Sequence, residues 1–234
     1  MTYGLGPMGA GVARFDLVIF DLDGTLVAHH EPIWKTLHAR LGSDRQRQDD
    51  ARRRALAGEL AYADWFAHDL VLLQEAGATR ASILAIVREL APTPGAAQVL
   101  GLLRAAGAHT AVLSGGIDLV AEHHLPADSV SAVAANRLVF DADGRLAGGS
   151  ATPWDRAGKA DGVHALAARF GTSAARVAFV GNGLNDVEAA RAAGFAIAWN
   201  DAPAELRAVS DVFVAGPDLR AILPWLIDRE TETG

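Results

Sequence analysis

Hydrophobic positions along the chain fall into two alternating kinds of run. Asp16–Phe20 (DLVIF) is short, apolar and rich in β-branched residues, and it ends at Asp21-Leu22-Asp23-Gly24-Thr25, so it reads as a buried strand feeding a tight turn. Runs of the same kind recur at Thr110–Leu113, Ser129–Ala134, Arg176–Val180, Phe195–Ala198 and Val212–Val214. Between them the pattern is helical, over Ala96–Ala106, Ile117–His124, Asp155–Phe170, Asp186–Ala193, Pro203–Val209 and Asp218–Ile227. This alternation predicts an α/β fold, a doubly wound parallel sheet with helices on both faces. Arg137–Phe140 and Arg145–Gly148 flank Asp143-Gly144, a strong turn pair, which adds a β-hairpin.

One long stretch breaks the alternation. Pro32–Leu90 is helical almost throughout, punctuated by Gly42-Ser43, Gly58 and Gly77, and predicts about four short helices and no strand. The expected organisation is a core of residues 14–28 and 92–234 with a helical cap, residues 29–91, inserted after the first strand. Its hinges fall near Ala28–Glu31 and Ala91–Gly95. Residues 1–13 are glycine-rich, carry no basic residue before Arg14 and lack a continuous apolar run, which predicts a flexible leader rather than a secretory signal.

Composition narrows the function classes. At 234 residues, 50% hydrophobic and 21% charged, with a net charge of -7, the chain has ample core and an acidic surface. The absence of cysteine excludes disulfides, thiolate zinc and iron–sulfur chemistry, and the cytoplasm is the expected location. The longest stretch free of Asp, Glu, Lys and Arg is Leu90–Leu103, far short of the roughly 20 apolar residues of a membrane span. Arg52-Arg53-Arg54 is the longest basic run and reads as a solvated helix face, so neither nucleic acid nor membrane is expected as a partner. Only Lys35 and Lys159 are lysines among the 21 basic residues, which makes a lysine conspicuous here.

Candidate chemistry gathers at the carboxyl ends of the predicted strands, where an open parallel sheet places its ligands. The spacing of Asp21 and Asp23 puts two carboxylates on one side of an extended segment, a pair that calls for a hard divalent cation; a turn or capping cluster is the alternative. Ser114-Gly115-Gly116 offers a hydroxyl and backbone N–H groups to an anion. Lys159, after Gly158, suits a compact point charge. Gly181-Asn182-Gly183-Leu184-Asn185-Asp186 supplies amides and a carboxylate, with a helix N-cap as its plainer explanation.

Together these four segments resemble the haloacid dehalogenase-like superfamily of phosphatases and phosphotransferases. Thr93-Pro94-Gly95, Ser114-Gly115-Gly116, Ala135-Asn136-Arg137-Leu138 and Asp218-Leu219-Arg220 look like its phosphoserine phosphatase branch. The resemblance implies a magnesium-dependent phosphatase acting on a small phosphorylated metabolite. Asp21 would be the nucleophile that forms an aspartyl-phosphate and Asp23 the general acid and base. Lys159 would balance charge, and Thr25, Ser114, Gly115 and Asn185 would hold the phosphate. Magnesium would be held by Asp21, Asp23, Asn182 and Asp186. Within the superfamily a phosphotransferase or mutase is the alternative, and outside it a non-catalytic scaffold. Asp23 argues against a dehalogenase, which lacks that acid.

Two departures matter. The superfamily usually has Asp at the position of Asn182, so one negative charge is missing. The phosphoserine branch binds the substrate amine with a glutamate at the start of the cap, where this chain has His30 or, one residue displaced, Glu31. Its cap arginine for the substrate carboxylate corresponds to Asp69, and no Lys or Arg occurs from Ala55 to Thr79, which argues against phosphoserine as substrate. Trp34 and Trp65 are expected in the cap core, with a place facing the substrate as the alternative, and His29-His30 and His123-His124 as solvated or substrate-facing pairs rather than metal ligands.

Overall fold

A computed structural model describes residues 11–29, 31–154 and 158–228. Its main sheet comprises β1 (Leu17–Phe20), β2 (His109–Ile117), β3 (Ala132–Phe140), β4 (Leu146–Ser150), β5 (Val177–Gly181), β6 (Phe195–Trp199) and β7 (Val212–Val214), in the spatial order β7-β6-β5-β1-β2-β3-β4. All neighbours are parallel except β3 and β4, the two arms of the hairpin.

Strand β1 is central, paired with β2 through Leu17↔His109 to Phe20↔Val112 and with β5 through Leu17↔Val177 to Phe20↔Val180. Its four side chains have no exposed surface, and their alternation divides the core in two. Val18 and Phe20 enter one cluster with α5 (Ala96–Ala105), α6 (Asp118–His124) and α10 (Leu223–Leu226). Leu17 and Ile19 enter the other with α7 (Lys159–Arg169), α8 (Val187–Ala192) and α9 (Ala204–Val209). A strand buried on both faces has to be apolar at every position, which is why DLVIF lacks a polar alternation.

Between β1 and β2 lie α1 (Ile33–Leu41), α2 (Arg45–Leu56), α3 (Tyr62–Glu75) and α4 (Arg80–Val87). They are rooted by Val27–Ala28, which pairs antiparallel with Ala91–Pro92 at the places expected to hinge. Their apolar faces join the Val18 and Phe20 cluster through Leu37, Phe66, Leu70, Leu73, Ile83 and Ile86. The α3–α4 turn is tied to the hairpin by Arg80 N–H to Gly144 O (2.8 Å) and Leu146 N–H to Ala78 O (2.9 Å). Thr79 caps α4 reciprocally with Ser82, which ends the turn sharply.

The elements differ from expectation in four places. β3 starts at Ala132 and continues to Phe140, so the expected third strand and first hairpin arm are one strand. β2 extends through Ser114-Gly115-Gly116 to Ile117. Leu113 pairs with Ala134 and Ile117 with Asn136, so four steps along β2 match two along β3 and the glycine-bearing segment bulges out. Asp218–Ile227 is not one helix: a 3-10 turn, Leu219–Ile222, is followed by the single turn of α10. Pro224 lacks the N–H that a continuous helix would bond to Arg220. Ile227–Asp228 then pairs antiparallel with Val12–Ala13, and Ala13 N–H bonds Ala106 O (3.0 Å), so the expected leader is fixed from residue 12; residues 1–10 lie outside the described residues. Helix α7 is described from Lys159, the expected start at Asp155 being outside the described residues. Among the described residues no helix is long and apolar enough to cross a membrane.

Candidate active site

The chain leaving β1 turns at once. Asp21 N–H continues the ladder to Val180 O (2.9 Å), and Leu22 O then collects N–H groups from Thr25, Leu26 and Val27. Gly24 makes this possible: its φ of 85° lies in the left-handed region, and a Cβ there would strike the Asn182 side-chain amide. The turn therefore packs directly on the loop after β5, and Thr25, fully buried, donates from Oγ1 to Asn182 Oδ1 (3.1 Å).

Lys159, at the start of α7, joins two strand ends. Its Nζ, without exposed surface, donates to Asp21 Oδ1 (2.8 Å) and to Asp186 Oδ1 (2.5 Å). Asp186 Oδ2 accepts N–H groups from Asn182 (2.9 Å) and Gly183 (2.8 Å). Any Cβ at Gly181 would lie 2.5 Å from that oxygen, so the glycine-rich loop folds around a carboxylate. Both Asp186 oxygens are thus engaged in holding Lys159 and the loop.

Electrostatics follow from burial. Burial pushes Asp21 up to about 7, with Lys159 pulling it back and Asp186 and Asp23 adding to the rise. Burial also raises Asp23, countered by the Ile33 N–H on its Oδ2 (3.1 Å). For Lys159, burial lowers the pKa but Asp186 and Asp21 outweigh it and hold the ammonium charged. Asp23 Oδ1 is buried and has no hydrogen-bond partner. Among the described residues no three histidine or acidic side chains converge into a metal site. The available oxygen donors are Asp21, Asp23 and the Asn182 side-chain carbonyl, with Asp23 Oδ1 buried and unpartnered among the described residues, and hard oxygen donors of this kind suit a hard divalent cation.

The β2 bulge faces Asp23. A Cβ on Gly116 would lie 3.1 Å from Asp23 Oδ2 and 3.2 Å from Ser114 Oγ. Ser114 Oγ accepts the Gly116 N–H (3.0 Å), which leaves the hydroxyl's own hydrogen to donate elsewhere. Gly115 O accepts two side-chain donors, Trp34 Nε1 (2.9 Å) and Asn136 Nδ2 (2.8 Å). Trp34 therefore packs against the Val18 and Phe20 cluster, its ring meeting Phe66 edge-on at 5.5 Å, and also reaches from α1 to the bulge.

Asp21, Asp23, Lys159, Ser114, Gly115, Thr25, Asn182 and Asp186 are brought together. Asn185 stands beside them, its Oδ1 where a Gly183 Cβ would be. Glu31 is not gathered in: it is exposed and bonded to Lys35 Nζ (2.6 Å), which holds its pKa down. His30 lies outside the described residues. Asp69 is buried on α3, its Oδ1 3.4 Å from His38 Nε2 on α1. Tyr62 was not singled out in the sequence, and Asn136 stood there only within Ala135-Asn136-Arg137-Leu138, with no role of its own. The available signal was a polar amide inside an otherwise apolar strand, a position that strand propensity disfavours.

Comparison with known proteins gives the family of the chain. Residues 15–194 match the haloacid dehalogenase-like hydrolase family model. The chain is 33% identical over 208 residues to phosphoserine phosphatase SerB2 of Mycobacterium tuberculosis, covering 88% of this chain and 49% of that protein. It is 32% identical over 217 residues to the phosphoserine phosphatase of Idiomarina loihiensis, covering 92% and 94%. The chain thus spans about half of the first relative and nearly all of the second. A solved structure described as a phospho-aspartyl intermediate analogue of phosphoserine phosphatase superposes with a TM-score of 0.71 at 25% identity, over 91% of this chain and 99% of that one. The chain belongs to the haloacid dehalogenase-like hydrolase family and, within it, to the phosphoserine phosphatase-like branch of phosphoric monoester hydrolases.

Proposed function

We propose that the chain hydrolyses a small phosphomonoester in two steps through an aspartyl-phosphate. The observation that carries the reading is the buried convergence of Asp21 and Asp186 on Lys159, with Asp23 and the Ser114 bulge facing each other beside it. The Asp21 oxygen not bonded to Lys159 attacks phosphorus as the bond to the leaving oxygen breaks, and Asp23 gives that oxygen a proton. Water then attacks the phosphoryl group, Asp23 takes its proton, and the Asp21–phosphorus bond breaks to release inorganic phosphate. Burial, which raises Asp23, favours the protonated acid that the first step needs.

Lys159 Nζ and the bulge's Ser114 hydroxyl and N–H groups stabilise the negative charge of the phosphoryl oxygens. Asp21, Asp23 and the Asn182 carbonyl would hold magnesium. When bound, the ion neutralises the carboxylates and draws charge from the phosphoryl oxygens. Thr25 positions Asn182, and Asp186 positions Lys159. Residues 29–91 act as the cap that shuts water from the site and shapes the leaving-group pocket.

Phosphoserine fits this pocket poorly. Asp69 occupies the place expected of a carboxylate-binding arginine and is sequestered against His38, while Glu31 is committed to Lys35. The test is phosphate release with magnesium from a generic aryl phosphate and from a panel that includes phosphoserine. We expect release from the aryl ester, little from phosphoserine, and none with Asp21→Asn. Equal inertness of both proteins across the panel contradicts the reading, and transfer to an added alcohol without phosphate release favours a phosphotransferase.

A further inference from the structure

We propose that Asn136 is a positioning residue that couples the seating of the cap to the aim of the phosphate-binding bulge. The inference rests on the phosphatase reading above and adds to it a residue to which that mechanism gave no part.

Asn136 sits on β3 with no exposed surface. Its Oδ1 accepts the Thr152 N–H (2.8 Å), and its Nδ2 donates to Gly115 O (2.8 Å) and to Tyr62 Oη (2.7 Å). The orientation of the amide is determined by these partners, because an N–H needs an acceptor and a carbonyl needs a donor. The three hydrogen bonds of the side chain therefore go to three different places: β2, the segment after β4, and α3.

The target of this arrangement is the peptide unit between Gly115 and Gly116, within the bulge of β2. Gly115 and Gly116 have no side chains, and glycine backbone wanders freely unless it is tied. Gly115 O receives Asn136 Nδ2 on one side and Trp34 Nε1 on the other. Two donors on one carbonyl fix its direction, and because the peptide is planar they also fix the Gly116 N–H, which lies on Ser114 Oγ. The direction of the Ser114 hydroxyl and of the bulge's N–H groups is thereby set from outside the bulge.

Two of the groups that set it belong to the cap. Trp34 is on the first turn of α1 and Tyr62 opens α3. With the cap seated, Tyr62 accepts from the same amide nitrogen that holds Gly115, and Trp34 supplies the second donor. If the cap lifts, Asn136 Nδ2 loses one acceptor and Gly115 O loses one donor, and the peptide is freed to turn. A phosphate that needs the ordered bulge then favours the seated cap, and the seated cap favours phosphate by the same factor.

The test uses the full chain with magnesium and inorganic phosphate as the probe. Phosphate affinity is measured by titration, and hydrogen exchange of α1 and the start of α3 is followed with and without phosphate, in wild type, Asn136→Ala and Tyr62→Phe. Tyr62→Phe keeps the ring and removes one acceptor, so it reports even if Asn136→Ala does not fold. We expect wild type to show slower exchange in both cap segments when phosphate binds. Each variant is expected to lose that protection and to bind phosphate about three- to tenfold more weakly, as loss of one net hydrogen bond implies. Variants that bind phosphate as tightly as wild type and keep the protection overturn the coupling and leave the phosphatase reading intact. A wild type that neither binds nor releases phosphate overturns both.

Discussion

Asp21 stands where burial and a neighbouring ammonium pull in opposite directions, and burial prevails. With a folded pKa of about 7 against about 3.9 in the unfolded chain, this group binds more protons folded than unfolded between those values. Unfolding free energy therefore declines as pH rises through that window and levels off above it. In metal-free protein, the thermal midpoint of wild type relative to Asp21→Asn should fall between about pH 4 and pH 7; parallel profiles would contradict this account of Asp21. Asn182 is the other residue at which the site's charge is set. Asn182→Asp conserves shape and retains an acceptor for Thr25 Oγ1, but adds a third carboxylate to the expected metal donors. Half-maximal thermal stabilisation is predicted at a lower magnesium concentration in this variant, and an unchanged titration would show that the amide costs nothing.

At the scale of elements, the hairpin does two tasks that its sequence disguises. Its first arm, β3, carries Asn136 to the bulge, and its second, β4, receives the cap. A Cβ on Gly149 would lie 2.9 Å from Phe66 Cζ, 3.3 Å from Leu70 Cδ1 and 2.5 Å from Arg137 O, whereas the neighbouring Gly148 has open space around it. Gly149→Ala is predicted to destabilise by about 1–3 kcal/mol in urea unfolding, and Gly148→Ala to stay within about 0.5 kcal/mol of wild type. Equal effects at the two positions would mean that α3 does not press on the hairpin. The alternation of buried runs predicted each parallel strand, because a strand covered on both faces leaves an apolar signature. It did not reveal that Ser114-Gly115-Gly116 is a bulge within β2, since a bulge is defined by its partner strand and not by its own residues.

Across the whole molecule, the fold collects residues separated by most of the chain: Asp21 and Lys159 are 138 positions apart. The strand ends predicted where such residues would meet, so Asp21, Asp23, Ser114, Lys159 and Asp186 were legible from order and charge alone. The finer division of labour was not. Thr25 and Asp186 were expected to touch phosphate and metal, and the hydrogen-bond geometry gives them in addition the holding of Asn182, Lys159 and the glycine-rich loop. Glu31 was expected from the family resemblance to meet the substrate amine, yet a surface lysine binds it, and Asp69, expected where a relative's arginine would stand, is buried beside His38. Partners across elements decide such roles, and sequence spacing within one element does not encode them.

The claim on which the account turns is that Asp21 becomes phosphorylated during turnover. Rapid acid quenching of the protein with a radiolabelled phosphomonoester and magnesium, followed by peptide mapping, tests it directly. The account predicts a hydroxylamine-sensitive label on the peptide that contains Asp21, absent from Asp21→Asn; hydrolysis that proceeds with no such label, or with the label on another residue, would contradict it.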